Sequence, residues 1–325
     1  MTTGFINSNI RDRQKTYLIV AVKLLIAAGI LFYLITYIDY RDIVNALSGA
    51  NVYLIAAAFS LTFLNIYLQF LKWKLTCNSV MSEKNNGKIL TSIFYGLSAG
   101  AITPVRIGEY FGRAIAFKNK PLLQVTAATL IDKFFLLIIV TSLGSVASLV
   151  FIYMYYDVSL YIVLSLFIIV FTLFYMVALI IQSEKFWDNV FFARLRNSNH
   201  LRKFLNHLGS LRNLDRKYAG KMTVISLLFY FCFIVQYALL VAAFSHNSDY
   251  LSYLWAGNLI IFVKTAIPQI SLGELGIREG ASVFFLTSFD ELPSVAFNAS
   301  IFLFVINIML PALVGLFLLI RKNDD

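Results

Sequence analysis

The chain has 325 residues, of which 59% are hydrophobic, 16% are aromatic and only 14% are charged, with a formal net charge of +10. Soluble domains carry about 25% charged residues. This composition therefore excludes a soluble globular enzyme, a nucleic-acid-binding protein and a disordered chain. The apolar residues form runs of about 20, long enough to cross a hydrocarbon core of roughly 30 Å as helices. The sequence predicts an all-α integral membrane protein.

In chain order, the continuous apolar runs predict six full spans, at 17–38, 52–71, 123–151, 159–181, 222–244 and 296–320. The first run follows Arg11, Arg13 and Lys15. It is longer than the apolar region of a signal peptide and no small-residue cleavage site follows it, so we expect a retained span. Two more apolar stretches, 89–117 and 251–286, contain helix breakers. We interpret both as re-entrant broken hairpins.

Basic residues lie on one side of these spans. Twenty Lys and Arg residues fall in the regions 1–16, 72–88, 118–122, 182–221 and 321–325. The loops between the other span ends carry Arg41 alone. Because loops rich in Lys and Arg stay in the cytoplasm, both termini are predicted to be cytoplasmic.

The region 182–221 is predicted to form a basic amphipathic segment on the cytoplasmic side. It could bind anionic lipid, recruit a separate lipid-synthesising enzyme, or serve as an ordinary connector lying on the bilayer. The sequence contains no phosphate-binding G-x-x-x-x-G-K-[ST] loop, and its cysteines and histidines lack metal-ligand spacing. We therefore expect no nucleotide, metal or other cofactor.

The two interrupted stretches share a sequence pattern. Each has Ala-Ile, then a proline, then Gly-Glu-x-x-x-Arg, beginning at Ala101 in one and at Ala266 in the other. The Gly-Glu pairs, at Gly108 and Gly273, are 165 residues apart, about half the chain. This agreement in residue type and order predicts an internal duplication.

The predicted spans divide in the same way. Residues 1–151 contain the re-entrant segment 89–117, and residues 152–325 contain the loop 182–221 and the re-entrant segment 251–286. Each half crosses the membrane three times in this prediction. An odd number of crossings makes the second half inverted, as in many secondary transporters.

The helix breaks are predicted at Pro104, Gly108, Pro268 and Gly273. Proline removes a helical hydrogen bond and glycine relaxes the backbone. Unwound backbone is not tolerated against lipid, so these turns are expected to line protein or a wet cavity. A helix that restarts there presents N–H groups to an anion.

Charged residues cluster around the breaks. The candidate substrate-binding residues are Arg106, Glu109, Arg113, Glu274, Arg278, Glu279, Lys264 and Asp132. Charges at membrane depth are costly, so two mirrored Glu/Arg pairs at i, i+4 favour a substrate pathway over structure alone. Self-neutralising pairs that hold each hairpin together are the alternative. Asp132 is predicted either to contact the first hairpin or to pair locally with Lys133.

The stretch Gly100–Arg113, with its Thr-Pro-x-Arg-x-Gly-Glu motif, resembles the flippase-like membrane region of bacterial lysylphosphatidylglycerol synthases. The stretch Pro268–Glu279 resembles the second signature of that family. The resemblance implies an inner-membrane protein that moves a polar-headed lipid between leaflets. It also implies that Arg106, Glu109, Arg113 and Glu279 line the path of the headgroup.

Those synthases continue into a soluble aminoacyl-transfer domain, whereas this sequence ends at Asp325. Lysyl transfer is therefore not expected. The sequence predicts translocation of a phospholipid or a polyprenyl-phosphate-linked lipid, with its phosphate near the arginines. Two alternatives remain open: an intramembrane enzyme that modifies a lipid headgroup, and an ion-coupled transporter of a small solute.

Overall fold

The structure is a computed structural model that describes residues 40–103, 106–182, 216–245, 247–267 and 275–324. Within these ranges the chain is helical and contains no strand. The helices are α1 (Tyr40–Ser48), α2 (Val52–Thr76), α3 (Asn86–Ile102), α4 (Gly108–Ile115), α5 (Leu122–Tyr155), α6 (Leu160–Gln182), α7 (Arg216–Phe244), α8 (Tyr250–Ala266), α9 (Ile277–Ser288), α10 (Pro293–Phe304) and α11 (Leu310–Asp324). Two π-helical turns, Cys77–Met81 and Val305–Met309, extend α2 and join α10 to α11.

Among the described residues, four helical segments are long and apolar enough to cross a membrane: Val52–Met81, Leu122–Tyr155, Lys217–Phe244 and Pro293–Arg321. A shorter apolar stretch, Leu160–Met176, lies in α6. These segments confirm a multi-pass helical membrane protein. The predicted span 17–38 and most of the predicted amphipathic region 182–221 lie outside the described residues. The six-span topology and the inverted repeat stay predictions.

The helix α2 is longer than the predicted span 52–71. It begins at Asn51, whose side-chain oxygen accepts hydrogen bonds from the backbone N–H groups of Tyr53 and Leu54. It continues through Lys72 and ends only after the π-helical turn, where Ser82 has a left-handed φ of 52°. The helix therefore does not end where the hydropathy falls at Lys72. The assignment of Lys72 to a loop was wrong, because the residue lies inside α2.

The predicted interrupted stretch 89–117 forms α3, a turn and the short helix α4, and the two helices pack closely together. Thr103 shapes the turn: its hydroxyl donates to the carbonyl oxygen of Ala99 at 2.8 Å and accepts from the N–H of Gly108 at 2.7 Å. Arg106 lies in the turn with a φ of 54°, a strained conformation for a side-chain-bearing residue. The predicted break at Pro104 lies outside the described residues.

Glycines set the distance between α3 and α4. A Cβ atom on Gly108 would overlap the carbonyl oxygen of Ala99, and a Cβ atom on Gly112 would overlap the carbonyl group of Tyr95. These two glycines therefore allow the backbones to touch, as small residues do in membrane helix pairs.

The second interrupted stretch, 251–286, forms α8 and α9, which also pack against each other. Its predicted breaks at Pro268 and Gly273 lie outside the described residues. The helix α9 starts after Gly276, which has a φ of 95° and whose N–H donates to the carboxylate of Glu279 at 2.6 Å. Glycine is required here because a side chain at this φ is strained.

The contact between α3 and α4 is open to a direct test. Gly112→Ala would place a methyl group 2.8 Å from the carbonyl carbon of Tyr95, so we expect a loss of about 1–3 kcal/mol in unfolding free energy. Gly280→Ala on α9 is the control, because no atom lies within 4 Å of its added Cβ. Thermal unfolding of the purified protein in detergent measures both. Equal midpoints for the two variants would contradict the close approach.

Candidate functional site

A cavity of about 610 Å³ lies among α2, α4, α5, α7 and α8 and also reaches the π-helical turn before α11. Its charged lining residues are Lys72, Arg106, Glu109, Arg113, Asp132, Lys133 and Lys264. The remaining lining is mainly leucine, isoleucine, valine and aromatic side chains. The cavity is therefore charged in one region and apolar along its walls.

Arg113 is at the centre of the charged region. One terminal nitrogen, Nη2, lies 2.8 Å from Oε1 of Glu109, and the other, Nη1, lies 3.1 Å from Oδ2 of Asp132. The guanidinium plane also covers the ring of Trp73, with 4.4 Å from Cζ to the ring centroid. Arg113 is only 1% exposed. It joins α4 to α5 and packs on α2.

Each carboxylate has a second cationic partner. Lys133 Nζ lies 2.6 Å from Oε2 of Glu109, and Arg106 Nε lies 3.7 Å from the same oxygen. Lys72 Nζ lies 3.6 Å from Oδ1 of Asp132. Both carboxylates are thus compensated by more than one cation. Removing one partner from such a buried cluster is costly, because it leaves an uncompensated charge.

The local sequence explains this arrangement. Glu109 and Arg113 are four residues apart on α4 and share one helical face. That face lies against Gly96 and Gly100 of α3, where an added Cβ on Gly96 would come within 2.7 Å of Arg113 Cγ. Small residues on α3 therefore make room for the two charged side chains.

Asp132 and Lys133 are neighbours on α5 but have different partners. Asp132 contacts Arg113 and Lys72, and Lys133 contacts Glu109. The contact of Asp132 with the first hairpin is confirmed. The alternative, a local ion pair inside the bundle, is also compatible with the structure, although the partners of these two residues are on other helices.

The charges do not balance. Five cationic side chains and two carboxylates line the cavity, a formal excess of three positive charges among the described residues. Lys264 contributes from α8, with its Nζ 5.0 Å from the centroid of the Phe233 ring. An excess of positive charge beside apolar walls suits a ligand with an anionic group and a hydrophobic part.

The structure brings five of the predicted residues to this cavity: Arg106, Glu109, Arg113, Asp132 and Lys264. Glu274 lies outside the described residues. Arg278 and Glu279 are buried elsewhere: Arg278 pairs with the Glu279 carboxylate and donates to the hydroxyl of Ser300 at 3.0 Å. Their contact with a headgroup stays a prediction.

Lys72 was missed as a site residue because the predicted span ended one residue before it. A usable signal was present in the sequence. Asn65, Gln69 and Lys72 follow i, i+4, i+7 spacing, which places three polar side chains on one face of an apolar helix. All three line the cavity.

Residues 20–315 match the family described as the lysylphosphatidylglycerol synthase transmembrane region. The chain belongs to this family. A search of curated proteins finds no match. Membership in the lysylphosphatidylglycerol synthase transmembrane family points to a function connected with membrane lipids, in agreement with the spanning helices and the apolar cavity walls.

The ion cluster predicts unequal effects of removing its members. Glu109→Gln leaves Arg106, Arg113 and Lys133 facing one another, so we expect a loss of about 3–5 kcal/mol in unfolding free energy. Lys133→Met is expected to cost less, because its side chain is 36% exposed and its stem is retained. The double variant is expected to lose less than the sum of the two single losses.

Denaturant unfolding of the three proteins in detergent gives these values. A single Glu109→Gln protein as stable as the unmodified chain would show that the carboxylate is not what holds the three cations together.

Proposed function

We propose that this protein moves a phosphate-bearing lipid headgroup, of a phospholipid or a polyprenyl-phosphate-linked lipid, between the leaflets of the membrane. The observation that carries the proposal is the cavity, in which a net positive lining lies beside apolar walls. The positive lining attracts a phosphate, and the apolar walls accommodate the start of an acyl or prenyl chain. A small soluble solute has no hydrocarbon chain to bury against the apolar walls.

The geometry suggests different roles for the cations. Both terminal nitrogens of Arg113 already face carboxylates, so this residue positions Glu109 and Asp132. Lys133 pairs with Glu109, but its ammonium carries further N–H donors and its side chain is 36% exposed, while Lys264 Nζ lies 5.0 Å from the centroid of the Phe233 ring. We assign the phosphate to these lysines and Arg106, since charge-assisted hydrogen bonds to phosphate are among the strongest that proteins make.

Translocation requires access from both sides in turn. We propose that the halves 1–151 and 152–325 are inverted repeats and that rocking between them alternates access to the cavity. In this arrangement 89–117 and 251–286 are re-entrant, both termini are cytoplasmic, and the protein lies in a bacterial cytoplasmic membrane. The closely packed α3 and α4 support a hairpin that moves as one unit.

A leaflet assay in proteoliposomes tests this function. Fluorescent phosphatidylglycerol, phosphatidylethanolamine and a polyprenyl phosphate are each followed with a membrane-impermeant quencher, with empty liposomes as the blank. We expect faster exposure of at least one phosphate-bearing lipid. Lys264→Gln is expected to slow it about tenfold, the effect of one charged hydrogen bond.

Lys217→Gln is the matched control, because Lys217 is exposed at the start of α7 and does not line the cavity. Reconstitution is checked by the amount of inserted protein. Absence of transport for all three lipids, with and without an ion gradient, would overturn the proposed function. Equal rates for Lys264→Gln and Lys217→Gln would overturn the assignment of the phosphate to Lys264.

A further inference from the structure

A second cavity, of about 520 Å³, lies between the start of α3 and the loop that joins α4 to α5. It shares no lining residue with the larger cavity of about 610 Å³. Two stretches of the chain form its polar lining, with Glu83, Lys88 and Thr91 in the first and Lys118, Asn119 and Lys120 in the second. Both stretches adjoin or lie in regions that the basic residues predict to be cytoplasmic.

Cations dominate this lining. Three lysines and one glutamate give a formal excess of two positive charges among the described residues. Within the described part of the chain, none of the three lysines forms an ion pair. Like charges that border one cavity repel one another, and an anion among them removes this repulsion. The second cavity is therefore suited to an anionic ligand.

The start of α3 adds backbone donors. The side-chain oxygen of Asn85 accepts from the N–H of Lys88 at 3.1 Å. The N–H groups of Asn86 and Gly87 form no hydrogen bond with another described residue. Gly87 lines the cavity and has no side chain that could cover its N–H. The partial positive charge at the start of this 17-residue helix adds to the attraction of the lysines for an anion.

The apolar part of the lining limits the kind of anion. No leucine, isoleucine or valine side chain lines the second cavity, whereas such side chains form the walls of the larger one. The apolar contribution comes from Ala116 and from the buried rings of Tyr95 and Phe117. An acyl chain finds no aliphatic wall here, so the lining favours a small hydrophilic ligand. Lysine ammonium groups are common ligands of phosphate.

We propose that the second cavity binds a small soluble anion that carries phosphate groups. The anion contacts Lys88 at the start of α3 and Lys118 and Lys120 in the loop after α4. It is not the lipid of the proposed function, and the inference does not depend on that function. The two sites differ in lining residues and in the hydrophobic part of the ligand that they accept.

An anion in this cavity connects both ends of the first hairpin and lies close to the ion cluster. The ring of Phe117 lies 6.4 Å from the ring of Trp73, measured between centroids, and the ring of Trp73 is covered by the guanidinium of Arg113. Binding therefore holds the start of α3 against the loop that follows α4. A ligand that binds only the folded protein also stabilises it. The second cavity is thus a place where a soluble phosphate compound controls the hairpin.

Binding of inorganic pyrophosphate to the purified full-length protein in a nonionic detergent tests the inference. Ionic strength is kept constant, because salt screens exposed charges. Titration calorimetry gives the affinity, and thermal unfolding gives the midpoint. We expect pyrophosphate to bind and to raise the midpoint. Lys88→Gln and Lys120→Gln remove partners from opposite sides of the cavity, and each is expected to weaken binding about tenfold, the effect of one charged hydrogen bond.

Two variants and one lipid are the controls. Lys84→Gln removes the same charge from the same segment, but Lys84 is exposed and does not line the cavity, so the affinity should stay the same. Lys264→Gln removes a cation from the larger cavity and should also leave the affinity unchanged. Dihexanoyl phosphatidic acid carries a phosphate on a lipid, and we expect Lys88→Gln not to change its binding.

The outcomes distinguish the possible sites. Absence of pyrophosphate binding, or equal losses in Lys84→Gln and Lys88→Gln, would overturn the inference, because general surface charge would then explain any attraction. A loss confined to Lys264→Gln would place the anion in the larger cavity and would also contradict it. Weaker binding of phosphatidic acid in Lys88→Gln would assign the second cavity to a lipid headgroup and exclude a soluble ligand as its specific occupant.

Discussion

The ion pairs of Arg113 are the constraint on which the rest of this structure depends. A single charge inside a membrane bundle is costly. Here one guanidinium bridges Glu109 and Asp132, and each carboxylate has a further cationic partner. These contacts tie the eight-residue helix α4, which is too short to be stable alone, to α5 and α2. Ion pairs as well as packing therefore connect the first hairpin to its neighbouring helices.

The two interrupted stretches use similar sequences in different ways. In the first, Glu109 and Arg113 reach across to other helices and line a cavity. In the second, the glutamate of the shared pattern, Glu274, lies outside the described residues, and its arginine, Arg278, pairs with Glu279 and donates to Ser300. The arginine of the shared pattern thus lines a charged cavity in the first stretch and lies in a buried network in the second. Within the described residues, the cations that line the cavity come mainly from the first half.

Sequence reasoning succeeded where the signal was local. The apolar runs predicted membrane helices, and the prolines and glycines predicted that 89–117 and 251–286 would not be continuous. The prediction that Asp132 contacts the first hairpin is confirmed by its ion pair with Arg113. Lys72 was missed because the predicted span was ended at the first charged residue, whereas the backbone of α2 remains helical beyond it. The pairing of Arg278 with Glu279 and Ser300 depends on tertiary contacts that spacing alone does not encode.

One further consequence concerns Trp73. Its indole N–H donates to the hydroxyl of Ser92 at 2.7 Å, and its ring lies under the guanidinium of Arg113. The chain has three tryptophans, and Trp255 lies far along the sequence, stacked on Phe289, the residue that follows α9. Indole emission shifts with the electric field across the ring. Trp73 is thus an intrinsic fluorophore at the ion cluster, and its emission wavelength responds to the arrangement of the charges around its ring.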